Sequence, residues 1–91
     1  MSYPTQLTPI AQLATYYPIE FELTILAEEL NGFGNPELII KIDASHTATT
    51  IYRINKPVGK RWKEADPQIG IKYQAEIEYY GPANRHFISI I

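Results

Sequence analysis

The chain contains no cysteine. That absence removes disulfides, zinc–thiolate centres, iron–sulfur clusters and thiol catalysis together, and it favours an intracellular, cytoplasmic setting. No stretch approaches the roughly 18–20 apolar residues that cross a bilayer, so no membrane partner is expected. The N-terminus, Met1-Ser2-Tyr3-Pro4-Thr5-Gln6, has neither a basic region nor an apolar run. No signal peptide is expected there, and the chain reads as complete. Histidines number only two, His46 and His86. A metal centre needs three or four convergent ligands, and Asp43-x-x-His46 alone does not supply them, so no metal or cofactor is expected. The sequence has no phosphate loop, dinucleotide fingerprint or hydrolase elbow.

What is present is β-forming. The 91 residues are enough for one domain with a modest core, 45% of them are hydrophobic, and seven are tyrosines. Isoleucine and tyrosine suit pleated, half-buried surfaces. The net charge of −2 conceals a dipolar chain. Residues 1–50 hold six acids and one base; residues 53–63 hold five bases and no acid; residues 64–91 hold four acids and two bases.

Periodicity places the elements. Residues 1–7 read as a flexible lead-in to one domain spanning 1–91. Thr8-Pro9 starts a short helix, with Thr8 expected to cap it and Pro9 suited to its first turn. Ile10, Leu13, Ala14 and Tyr17 fall on one face, and Pro18 ends the run. Ile19 to Leu30 predicts a first strand whose alternation slips at Leu26-Ala27-Glu28-Glu29-Leu30, where a bulge is expected. Asn31-Gly32-Phe33-Gly34-Asn35-Pro36 is a turn. Leu38–Ile42 and Thr47–Ile54 predict the second and third strands. Lys60–Pro67 reads as one helical turn or an ordered loop. Ile69, Ile71, Tyr73, Ala75, Ile77 and Tyr79 share one parity and predict a long fourth strand with that parity turned inward. Gly81–His86 breaks the chain before a fifth strand, Phe87–Ile91.

Hairpin-length links imply an antiparallel sheet that closes on itself or is covered by the helix. The expected fold is mainly β: a small, partly closed five-stranded barrel with one short N-terminal helix. A link segment between the third and fourth strands resembles the oligonucleotide/oligosaccharide-binding (OB) barrel in topology. An SH3-like barrel, or an antiparallel sheet with one packed helix, fits the same pattern.

Two surfaces are candidates for function. Arg53, Lys56, Lys60, Arg61 and Lys63, with Trp62 and Tyr52, combine positive charge with aromatic planes, as binding of an anion or single-stranded nucleic acid requires. The competing reading makes Trp62 a core lid and the cations weak surface partners of the acidic first half. Glu20, Glu22, Glu76 and Glu78 on outward faces would repel a phosphate backbone. The second surface is Tyr80 with Phe87, Ile88, Ile90 and Ile91. Exposed tyrosine contributes contact area at low entropic cost, and a strand apolar on both faces asks for cover. Exposed carboxylate pairs make poor general acids, so no enzyme is expected. The expected function is a non-catalytic module for protein–protein interaction, including homo-oligomerisation. Single-stranded nucleic-acid binding through residues 53–63 is the alternative.

Overall fold

The computed structural model describes residues 2–91; of the expected lead-in, Met1 lies outside the described residues. The elements run α1 (Ile10–Tyr16), β1 (Phe21–Leu30), β2 (Pro36–Ala44), β3 (Thr47–Asn55), α2 (Lys60–Ala65), β4 (Lys72–Tyr80), a 3-10 turn at Gly81–Ala83, and β5 (Arg85–Ile90). Every strand pair is antiparallel, the order is β3-β2-β1-β4-β5, and the sheet curls into a half-barrel. The mainly β, five-stranded expectation is met. No helix among the described residues is long and apolar enough to cross a membrane.

Alternation builds the core. Phe21, Leu23 and Ile25 of β1 meet Leu38, Ile40 and Ile42 of β2, Ile54 of β3, Ala75 of β4 and Ile88 of β5. Leu13 of α1, the following Tyr17, and Trp62 of α2 complete the cluster. Each large side chain taken fully from water contributes about 1.5–3 kcal/mol.

The apolar doublet in β1 is resolved as expected, by a register shift between Ile25 and Ala27. The bulge has a consequence for charge. Ile25 pairs with Ile40 and faces inward, but Ala27 pairs with Ile39, Glu28 with Leu38, and Glu29 with Glu37. The phase of β1 is therefore reversed beyond Leu26. Glu29 joins Glu37 and Arg53 on the outer face, and Leu30 ends on the inner one. Without the extra residue Glu29 would point at the core.

Four expectations need correction. Ile19 precedes β1 and is exposed. Ile69 and Ile71 are exposed too, because Gly70 takes φ +86° and its amide donates to the Ile25 carbonyl, so β4 begins only at Lys72. Inward parity then holds from Tyr73 through Ala75 and Ile77 to Tyr79, but Tyr79, beside the turn at the end of that face, is exposed. Thr8 does not cap α1: the N-cap is Pro9 with no side-chain hydrogen bond, and the Thr8 amide donates to the Arg53 carbonyl at 2.8 Å.

The half-barrel leaves β3 and β5 as edges, and each is covered differently. Leu7 bridges to Arg53 on the β3 edge, and the Arg53 Nε donates to the Pro4 carbonyl at 2.6 Å, which ties down a lead-in expected to be flexible. The β5 side is packed by both α1 and α2. Helical cover is one of the ways proteins keep an edge strand from pairing with another chain.

Candidate functional site

The basic segment does not form a free cationic patch. Arg53 donates from Nη2 to Glu29 at 2.7 Å and from Nη1 to Glu37 at 3.1 Å. These bonds, Glu29's first, hold its guanidinium above its ordinary pKa. Lys56 pairs with Glu28 at 3.1 Å, and Lys60 lies 3.9 Å from Glu64 one helical turn away. Arg61 reaches from α2 to β4, bonded to Glu78 and 3.6 Å from Glu76. Among the described residues, Lys63 is the member of the segment with no ion-pair partner. The acidic excess of the first half and the basic excess of 53–63 are thus largely spent on each other.

Trp62 departs furthest from a ligand-stacking role. It is 3% exposed and belongs to the core cluster. The reason is helical: in Lys60–Ala65 one side chain faces the sheet while Arg61 and Lys63 splay to either side. Its ring has no free face for a base. Tyr52 is half-buried, its hydroxyl 2.8 Å from that of Tyr17. Burial first, then this hydrogen bond, push its pKa up to about 12.

The closing hairpin divides by parity. Ile88 is 1% exposed and part of the core, so it cannot serve as an interface residue. Ile90 packs against the core, half-buried. Ile91 and Tyr80 are about half exposed, and Phe87 is partly covered. On the outer face Glu78 pairs with Phe87 and Tyr80 with Arg85, so these four side chains lie together. Tyr80 and Phe87 meet edge to face at 5.4 Å, and the Arg85 guanidinium carbon lies 5.1 Å from the Phe87 ring centre. Tyr80 donates to Glu78, and that bond raises its pKa above the ordinary value.

The two expected surfaces meet at this face. Gly59, Lys60 and Arg61 at the start of α2, with Tyr80, Arg85 and Phe87, line a groove of about 320 Å³. Gly59 makes the close approach: a β-carbon there would sit 3.4 Å from the Phe87 ring. Three cations and two aromatic rings share the groove with one carboxylate, Glu78. Arg85 had no place in either expected site. Its only sequence signal was its position opposite Tyr80 across a short turn.

The polar turn at Asp43–His46 carries no assembled chemistry. Asp43 accepts a hydrogen bond from the Thr49 hydroxyl, while His46 Nε2 lies 3.1 Å from the Tyr16 carbonyl. Comparison with protein-family models, with curated proteins and with solved structures finds no match to this chain.

Proposed function

We propose that this protein is a non-catalytic binding module that takes an acidic, partly apolar segment of a partner protein into the groove between α2 and the closing hairpin. The observation that carries this reading is the juxtaposition of Lys60, Arg61 and Arg85 with Tyr80 and Phe87 around a single carboxylate. Tyrosine, phenylalanine and arginine are residues that interfaces favour, the aromatic rings because they combine large contact area with few lost rotamers. Carboxylates of a partner would complement Arg85, which makes no ion pair among the described residues, and its apolar side chains would cover the rings.

The test is selection of a displayed random-peptide library on the intact protein. Enrichment of Asp/Glu-rich peptides carrying aliphatic or aromatic residues is expected, with binding lost in Arg85→Glu and weakened in Tyr80→Ala. Selected peptides with no acidic bias, or equal binding by Arg85→Glu, would sink the proposal.

A second reading is supported by the same groove and by the fold. A helical link between β3 and β4 of a five-stranded antiparallel sheet is the feature shared with OB barrels, whose β1–β2 and β4–β5 loops contact single-stranded nucleic acid. Under this reading Lys60, Arg61, Tyr80 and Phe87 take a short single strand. The neutralised Arg53 and Lys56 and the buried Trp62 weigh against it. Titration of a labelled single-stranded oligonucleotide decides: affinity falling steeply with salt supports nucleic acid, and none at low salt removes it.

A further inference from the structure

Phe33 is 93% exposed at the tip of the β1–β2 hairpin. The loop does not leave that ring to chance. Asn31 Oδ1 accepts from the amides of Phe33 at 2.8 Å and Asn35 at 3.0 Å, the Asn31 amide donates to the Asn35 carbonyl at 2.9 Å, and Gly34 takes φ +82°. An asparagine side chain that organises its own turn fixes the loop, so the phenyl ring is presented in a pre-formed geometry.

Behind the tip runs an apolar strip. Leu30 pairs with Pro36 on the face shared by Leu38, and Leu30 is 72% exposed. The strip leads into a groove of about 470 Å³ between the hairpin base and residues 56–69, with Trp62 at its floor and the exposed Val58 and Ile69 on its rim. That volume lies within the roughly 300–1,000 Å³ of ordinary binding clefts.

We propose that this groove receives Phe33 of a second copy of the chain, forming a two-fold dimer. Plug and socket sit on one hairpin: its tip carries the ring, and Pro36 and Leu38 at its base line the groove. That is the arrangement a self-complementary interface needs, since each copy offers both halves of the contact to the other. Charge agrees. The tip, residues 31–35, carries none; on the groove lining Lys56 is paired with Glu28, and Lys63 and Asp66 are exposed residues of opposite sign. The lining is thus formally neutral, and no net charge is set against the uncharged tip. A lipid surface is a poorer occupant, because the tip, residues 31–35, carries no lysine or arginine to meet anionic headgroups. The Tyr80 groove lies elsewhere and is not used.

Sedimentation velocity across a dilution series tests the proposal, using the wild type, Phe33→Ser at the plug and Val58→Asp at the socket rim. Both positions are exposed, so at concentrations where the wild type is monomeric both variants should melt at its temperature. The wild type is expected to shift from 10.4 kDa towards twice that mass as concentration rises. Each variant should weaken self-association at least about tenfold. Trp62 emission should change with concentration in the wild type alone. A wild type that stays at 10.4 kDa up to millimolar concentration overturns the proposal. So does self-association indifferent to Phe33→Ser, or Phe33-dependent binding of anionic vesicles by a monomer. Retained peptide binding by a monomeric Phe33→Ser protein would separate this interface from the Tyr80 groove.

Discussion

The hydroxyls of Tyr17 and Tyr52 lie 2.8 Å apart, joining the end of α1 to the middle of β3. Their rings are nearly perpendicular, 6.0 Å between centres. Burial and this bond raise Tyr52 from 10.0 to about 12, so the folded protein keeps a proton that the unfolded chain releases first. The contribution to stability is complete below pH 10 and is lost as pH rises through 12. Urea midpoints measured from neutral to strongly alkaline pH should fall in that window. Tyr52→Phe should flatten the fall, because no phenol is left to titrate at that position. An unchanged alkaline slope in Tyr52→Phe would show that another group carries it.

Arg53 ties three segments together: Pro4 of the N-terminal strap, Glu29 beyond the bulge, and Glu37 of β2. Arg53→Ala leaves Glu37, 9% exposed in its side chain, without its cation. Loss of stability and faster amide exchange at Thr8 are expected together. Arg53→Lys keeps the charge but not the planar fork that serves three acceptors, so it should rescue only part of both. Unaltered exchange at Thr8 in Arg53→Ala would mean that Leu7 and Thr8 hold the β3 edge unaided.

Trp62 packs beneath α2, so Trp62→Ala should cost about 3–5 kcal/mol, as large core truncations do. Native emission should be blue-shifted and resist iodide. Ready quenching by iodide in the folded protein would contradict the burial found here.

What the sequence displayed and what it hid follow from range. The alternation of β1 and its slip at Leu26 depend on neighbours, and so the strand and bulge were legible. The pairing of Arg53 with Glu29 was not, because it needs both the reversed phase of β1 and the position of β3 two strands away. Ile69 and Ile71 continued the alternation of β4 perfectly, yet Gly70 turns the backbone and leaves both in water. Trp62 lay between two cations, and composition alone could not tell a loop that offers its ring from a helix that buries it. The Tyr80 groove needed α2 to be brought against β5, a contact between residues more than twenty positions apart.

Two glycines should respond differently to alanine. Gly70 takes φ +86°, a conformation that a β-carbon disfavours by about 1–2 kcal/mol, so Gly70→Ala should destabilise by that amount. Gly59 has φ −63°, which any residue adopts, and a β-carbon there would meet the Phe87 ring at ordinary contact distance. Restricting the unfolded chain contributes about 0.4–1 kcal/mol, but Gly59 is the N-cap of α2, where alanine costs a similar amount, so Gly59→Ala should leave stability nearly unchanged. The same position controls the groove, since a larger side chain would grow into the space beside Phe87. Gly59→Leu is therefore expected to fold, to keep its β-sheet circular dichroism, and to lose affinity for acidic peptides at least about tenfold, a change of about 1.4 kcal/mol. A folded Gly59→Leu protein that bound those peptides as the wild type does would place their site away from Tyr80 and Phe87.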